Sequence, residues 1–430
     1  MKPRFKATNV VLALLCAMYF ITYIDRVNVG TAASGIQHDL HLSNTELGLV
    51  FSAFAYPYLL FQISGGWIAD RFGARRTLFW GGLIWAAATI ATGFVGGLGS
   101  LFLARLLLGV GEGATFPTAT RAMQNWVPKQ KRGYAQGLTH AFARLGNAVT
   151  PPVIAMLMVA FTWRVSFVVV GAVSFAWVLV WFWYFRDDPK QHPSITAEEL
   201  HTLPPRPAVV QAEKPKVPWG GLIRRMWPVT LTYFCYGWGL WLYLNWIPLF
   251  FKNNYHLNIQ HSALFASGVF FAGVIGDTLG GMISDGLLRA TGNVRLARTG
   301  VIVIGFLGAL ASLLPIFYFH SINTVALCLS GAFFFGELVI GPIWSVPMDI
   351  APKYSGTAAG LMNFGSALAA ILSPLIAGYV IDLTGNWYLP FLMTIAVLLV
   401  GAACAFLMRP ELPFDDPLTA MATVKPAAAE

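Results

Sequence analysis

The chain has 430 residues, of which 57% are hydrophobic and only 11% charged, with a formal net charge of +9. Soluble proteins are about 25% charged, so a water-soluble fold of this size would lack the polar residues to cover its surface, and most cytosolic enzymes are excluded. Disorder, a coiled coil and a disulfide scaffold fall with them, because the four cysteines (Cys16, Cys235, Cys328, Cys404) sit singly inside apolar runs.

A bilayer core of roughly 30 Å takes about 20 apolar helical residues. Twelve such segments can be counted, at 8–35, 45–69, 77–96, 99–121, 132–160, 163–185, 227–251, 261–288, 299–319, 323–347, 354–383 and 387–408. They predict an all-α membrane protein of twelve transmembrane helices. The first segment follows Lys2, Arg4 and Lys6, but its run is too long for a signal peptide and carries Asp25 and Arg26, so it is expected to stay in the mature protein. Of the 28 Lys and Arg, 23 fall on the side of the termini and two, Arg164 and Lys252, on the other; Arg26, Arg105 and Arg144 lie within spans. That bias predicts a multi-pass protein of the cell inner membrane with both termini cytoplasmic. It also accounts for the basic balance without nucleic acid, leaving membrane lipid and a small substrate as the expected partners of a monomer.

Between the sixth and seventh spans the sequence RDDPKQHPSITAEELHTLPPRPAVVQAEKPK is polar and Pro-rich, and reads as a flexible cytoplasmic linker. The expected organisation is a six-helix bundle over 1–185, a linker over 186–226, a second six-helix bundle over 227–408 and a cytoplasmic tail over 409–430. A repeat supports the division: GGWIADRFGARR follows the second span and GGMISDGLLRATGNVRLAR the eighth, with Asp70 and Asp285 215 residues apart.

The spacing Gly66-x-x-x-Asp70-Arg71-x-Gly73-x-Arg75-Arg76 resembles the signature loop of the major facilitator superfamily, and the resemblance of layout covers the whole chain. It implies two pseudo-symmetric bundles, a site between them at the midplane, and alternating access by rocking of the halves. Gly66, Asp70, Arg71, Gly73, Arg75, Arg76 and Asp285 would then be gating residues. Anchoring of the loop to anionic lipid is the plainer reading. The second copy has Gly286 where the first has Arg71.

Charges at membrane depth cost several kcal/mol, so each needs a partner, a water-filled cavity or a function. Seven are expected there: Asp25, Arg26, Arg105, Glu112, Arg144, Asp277 and Glu337. Consecutive helical positions point about 100° apart, so Asp25 and Arg26 cannot share one small contact. Arg105 and Glu112 are about two turns apart on one face, and Gly109, Gly111 and Gly113 beside them let another helix approach closely.

Tyr23-x-Asp25-Arg26, with Arg105, Glu112 and the Asn363 of GLMNFGSA, resembles the anion:cation symporter branch of that superfamily, whose members carry hexuronates, aldonates, aldarates and phthalate. The resemblance implies that Arg26 contacts the substrate or its neighbours, that Arg105 helps hold a carboxylate, that Asn363 bonds a polyol, and that Asp25 and Glu112 are the proton sites. The chemistry agrees, since a guanidinium binds a carboxylate in a bidentate fork and a buried carboxyl can take up and release a proton. Static ion pairs that fix helix packing are the competing reading.

Arg144 lies about twelve residues, or ~18 Å, into the fifth span, close to the midplane. Two readings stand for it, binding a second substrate carboxylate or neutralising Glu112. Asp277 and Glu337 read as structural pairs or extra proton sites. Among the aromatics, Tyr56, Tyr58, Tyr236 and Trp238 are candidates to line the cavity, while Trp177, Trp181 and Trp183 are expected at the membrane interface. There is no Walker loop, no dinucleotide fingerprint and no Cys/His metal spacing, so no cofactor or metal is expected beyond a coupling proton. The function expected is proton-coupled uptake of a small organic anion, a sugar acid or aromatic carboxylate. An anion exchanger of the same fold is the alternative; a membrane sensor or enzyme is disfavoured for want of a soluble domain or a catalytic constellation.

Overall fold

The computed structural model describes residues 6–128, 131–203 and 217–414 and is helical nearly throughout. The first six passes are α1 (Ala7–Leu40), α2 (Asn44–Ala53) continued by α3 (Ala55–Phe72), α4 (Ala74–Thr92), α5 (Leu98–Gly113) continued by α6 (Thr115–Trp126), α7 (Arg132–Ala160) and α8 (Trp163–Tyr184). A short helix, α9 (Ala197–Thr202), precedes the second set: α10 (Trp219–Asn254), α11 (Ile259–Thr291), α12 (Val301–Leu313), α13 (Ile322–Glu337) continued by α14 (Ile340–Ile350), α15 (Ser355–Thr384) and α16 (Leu389–Leu407). The twelve expected passes are all present. Among the described residues, nine are long and apolar enough on composition alone to cross a membrane; α2–α3, α4 and α10 make up the rest.

Three passes are broken, and proline explains each break. A helical proline lacks the N–H that would bond the carbonyl four residues back, and its ring clashes with that carbonyl. Pro57, Pro117 and Pro342 point back to Ala53, Gly113 and Leu338, and α2 ends at Ala53, α5 at Gly113 and α13 at Glu337. The breaks fall at the depth of the buried charges.

Helices α1–α8 form one bundle and α10–α16 the other, joined chiefly where α2 meets α15, α7 meets α11 and α1 meets α10. The tightest approaches lie at the face opposite the termini. An added Cβ on Gly30 would sit 2.7 Å from the Leu244 carbonyl oxygen, and one on Gly378 would sit 2.2 Å from that of Asn44; only glycine lets these backbones meet. Asp382 of α15 reinforces the closure by accepting hydrogen bonds from both N–H groups and both side chains of Asn44 and Thr45, at 2.6–3.0 Å. An anion at the first turn of α2 also complements the helix dipole. By contrast α6 and α14, the segments of passes 4 and 10 nearer the termini, pack within their own bundles. Closure is therefore concentrated at the far face.

The linker departs from expectation. Residues 204–216 lie outside the described residues, but the part before them is ordered by local chemistry: Thr196 and Glu199 form a capping box at the start of α9. Glu199 also accepts from the N–H and hydroxyl of Thr8, at 3.1 and 3.0 Å, tying α9 to the first turn of α1. Burial raises the pKa of Glu199, but these hydrogen bonds outweigh it and hold the carboxyl below its ordinary value. His192 is buried against Trp126 and Tyr184.

Asp382→Ala is expected to loosen the far-face closure. Maleimide labelling of Ser34→Cys, at the seam between α1 and α11, should accelerate several-fold in the Asp382→Ala background. Unchanged labelling would show that helix packing alone keeps this face shut.

Candidate functional site

In α1, Asp25 and Arg26 point to different neighbours, as the helical step requires. Asp25, only 1% exposed, turns into the first bundle: Thr89 of α4 donates to its Oδ1 at 2.8 Å and Ser174 of α8 to its Oδ2 at 3.2 Å. Arg26 turns towards α5, and its Nε donates to Oε2 of Glu112 at 3.0 Å, with both side chains buried. Its guanidinium carbon lies 4.9–5.1 Å from the ring centroids of Tyr23, Phe54, Tyr58 and Phe116. A cation among aromatic faces gains from their quadrupoles, more so when desolvated. Phe54 and Phe116 lie at the breaks of passes 2 and 4, so the same distortion that interrupts the helices supplies two walls of the cage.

Arg105 lies behind this pair. Its Nη1 reaches the backbone carbonyl of Asp25 at 3.4 Å, and its guanidinium is 5.6 Å from the Phe54 ring. Glu112 is thus paired with Arg26 of another pass and not with Arg105 on its own helix. Gly109 allows the approach of Phe54, whose carbonyl oxygen would be 2.2 Å from an added Cβ.

Arg144 corrects one of the two readings made of it from sequence: it does not neutralise Glu112. Its Nε donates to Oδ2 of Asp277 at 3.1 Å and its Nη2 lies 3.0 Å from Oε2 of Glu337. Tyr236 completes the group, donating from its hydroxyl to Oε1 of Glu337 at 3.0 Å. One guanidinium of the first bundle therefore bridges two carboxylates of the second. Taken together, three guanidinium groups and four carboxylates lie at mid-depth, three of the carboxylates paired with a guanidinium and the fourth, Asp25, held by hydroxyls. Among the described residues, Arg26 Nη2, Arg105 Nε and Arg144 Nη1 are buried with no hydrogen-bond partner, as are the amides of Asn28 and Asn147.

The remaining candidates divide. Tyr236 joins the Arg144 group, but Tyr56 is 38% exposed and stays apart; Tyr58, about 200° further round α3, stacks on Phe54 and takes the place beside Arg26. Asn363 is half-buried about 12 Å from the start of α15. Gly66 and the side chain of Asp70 lie outside what the structure describes. Arg71 lies 5.7 Å from the Phe72 ring and Arg76 is exposed. Gly73 turns between α3 and α4 at φ 80°, where an added Cβ would strike the Asp187 carboxylate. Asp187 accepts from the Arg75 N–H at 3.1 Å, while the Arg75 side chain donates to the Phe182 carbonyl near the end of α8. In the second copy Arg298 joins Asp285 at 3.0 Å and Asp349 at 3.2 Å. Each contact described for Arg75 and Asp285 lies within its own bundle.

Sequence reasoning missed Thr89, Ser174, Phe54 and Phe116. Hydroxyls and phenylalanines inside apolar spans look like ordinary packing, and only the fold shows which charge they face.

A family model described as the Major Facilitator Superfamily matches residues 15–374 and 295–428. The chain belongs to that superfamily. It is 48% identical over 419 residues to a probable sulfoacetate transporter of Cupriavidus necator, covering 97% of each chain. A probable galactarate/D-glucarate transporter of Escherichia coli is 30% identical over 89% of both chains, and a hexuronate transporter of Bacillus subtilis is 29% identical over 95% of this chain and 94% of its own. These relatives place the chain with the anion:cation symporter branch. Among solved structures, a bacterial homolog of the human lysosomal transporter Spinster, inward-facing and unoccupied, superposes with a TM-score of 0.77 at 17% identity, covering 95% of this chain and 97% of the other. The superfamily chain is a membrane transporter and not an enzyme.

Thr89→Val keeps the shape of the side chain and removes one donor from buried Asp25. Leaving such a group short costs about 1–3 kcal/mol, and thermal unfolding in detergent should fall accordingly. Ser174→Ala should cost less, because the Ser174 hydroxyl is shared between Asp25 and the Val170 carbonyl. An unchanged unfolding temperature in Thr89→Val would show that Asp25 draws nothing from it.

Proposed function

We propose that this protein takes up a small organic anion together with protons by alternating access, with both termini in the cytoplasm. The observation that carries the reading is the charge count at mid-depth. Three guanidinium groups are already outnumbered by four carboxylates, so an arriving anion would deepen a negative excess where charge is poorly solvated. Protons on the carboxylates remove that excess. The same site offers an anion what it needs, in the unpartnered Arg26 Nη2 and Arg105 Nε, and a guanidinium keeps its charge whatever protons do nearby.

Sulfoacetate, a two-carbon acid bearing a carboxylate and a sulfonate, is the substrate first suggested by the relative at 48% identity. Arg26 and Arg105 are assigned to its anionic ends. Glu112 is the coupling carboxyl nearest the substrate, because an anion binding Arg26 competes with it for the same guanidinium. Asp25, held by Thr89 and Ser174 away from Arg26, acts with it from behind. With the termini cytoplasmic, as the charge bias of the loops indicates, the closed face is the outer one and the described state faces inward. Asn363 and the gating loops keep the roles the family resemblance implies.

Purified protein in proteoliposomes should accumulate sulfoacetate only with an inward proton gradient. Glu112→Gln should abolish accumulation and retain exchange of labelled for unlabelled substrate, which need not release the proton. Full accumulation by Glu112→Gln that still collapses with an uncoupler would remove Glu112 from the coupling. Arg105→Lys keeps the charge but not the planar fork, and should weaken sulfoacetate binding at least about tenfold, or ~1.4 kcal/mol. Near-normal affinity would return Arg105 to a packing role.

A further inference from the structure

The broken passes carry a repeat that links the two charge clusters. Pass 4 reads Gly111-Glu112-Gly-Ala-Thr-Phe-Pro117 and pass 10 reads Gly336-Glu337-Leu-Val-Ile-Gly-Pro342, the same Gly-Glu followed five positions later by Pro. In both, the proline ends the first helix at or just after the glutamate. Both glutamates are at most 1% exposed, and both meet a guanidinium at 3.0 Å. Each stands near a second carboxylate, Asp25 for Glu112 and Asp277 for Glu337. Glu337 is therefore the second bundle's counterpart of Glu112.

We propose that Glu337, with Asp277 and Arg144, is a second proton-binding site that opens and closes with the seam between the bundles. It goes beyond the uptake reading and does not depend on which anion is carried. The charged and titratable groups facing Glu337 are Asp277 from α11, Tyr233, Tyr236 and Tyr243 from α10, and Arg144 from α7, with His140 one turn below Arg144. Behind the Arg144 guanidinium stands the Tyr23 ring of α1, while α12 and α16 present apolar side chains and Thr394. One guanidinium cannot balance both carboxylates, one buried and one partly so, and the docked cluster is one positive charge short.

The partner that Glu337 meets belongs to the other bundle. When the far face is shut, α7 lies against α11, Ser267 donates to the Ala148 carbonyl and Arg144 is docked. Parting α7 from α11 at that face withdraws Arg144 and leaves Glu337 and Asp277 facing each other, a pair that takes up a proton. Closing returns Arg144 Nη2 to Glu337 Oε2; the proton on that oxygen leaves as the ion pair forms. Asp277, the more accessible carboxylate at 15% side-chain exposure, and His140, on the same face of α7 nearer the termini, mark its way out to water.

The test reads the seam and not transport. Spin labels on His38→Cys and His261→Cys, exposed ends of α1 and α11 at the far face, report its opening by double electron–electron resonance, in a background with the four cysteines replaced and no substrate added. The parent should shift towards the long distance as pH falls from 8.5 to 5.5. Glu337→Gln should lose that shift, and Glu112→Gln should keep it. Asp277→Asn removes the excess negative charge that draws the proton, and should move the midpoint down by about one pH unit or more; it carries the test should Glu337→Gln not yield monodisperse protein. A parent-like pH response in Glu337→Gln, or an unmoved midpoint in Asp277→Asn, overturns the proposal. Failure of sulfoacetate uptake would leave it untouched, since no anion enters the measurement.

Discussion

A guanidinium at the middle of a membrane bundle must find a counter-charge or a hydrogen-bond acceptor there, and the placement of three such groups organises the rest of this structure. Glu112 answers Arg26, the carbonyl of Asp25 answers Arg105, and Asp277 and Glu337 answer Arg144. Each pairing dictates backbone geometry. Passes 4 and 10 break so that a glutamate sits at a helix end, and pass 2 breaks beside Phe54, which faces both Arg26 and Arg105. Glycine is required where backbone must come close enough for the charges to meet: Gly109 beneath Phe54, and Gly273 beneath Glu337, whose Cγ would lie 3.0 Å from an added Cβ.

Passes, their two-fold grouping and the seven charges within the spans were legible in the sequence because each leaves a local signal: twenty apolar residues, a polar interruption, a charge where none is cheap. Pairing was not. Asp25 and Arg26 could be sent to different neighbours by the helical step alone, yet nothing in the sequence says that Asp25 meets Thr89 and Ser174. Arg144 and its carboxylates are 133 and 193 positions apart and sit on different bundles, so their meeting depends on how the bundles dock. One signal was available and passed over, the Gly-Glu-x4-Pro repeat in passes 4 and 10. It hides because its four middle residues share nothing.

Part of the polar linker also proved ordered, for a reason the same local rules contain. Thr196-x-x-Glu199 is a capping box, and proline-rich surroundings concealed it. The carboxylate that closes that box also holds Thr8 at the start of α1. The helix bearing Asp25 and Arg26 is thereby fixed at both ends, by Glu199 near the termini and by the backbone contact of Gly30 with α10 at the far face.

The two glutamates of the repeat differ in one respect, and that difference sets what each can respond to. Arg26 and Glu112 belong to the same bundle, so a rigid rotation of the bundles leaves their 3.0 Å contact unchanged; only something that binds Arg26, or a proton on Glu112, can alter it. Arg144 and Glu337 belong to different bundles, so in the proposed opening of the seam their contact parts whether or not anything is bound. An equilibrium can be shifted only by differential affinity for its states. The within-bundle pair can sense occupancy, and the proposal gives the pair across the seam a proton affinity that differs between the two faces' open states. The proposed uptake of an anion with protons would use both kinds of sensitivity, divided between two copies of one motif.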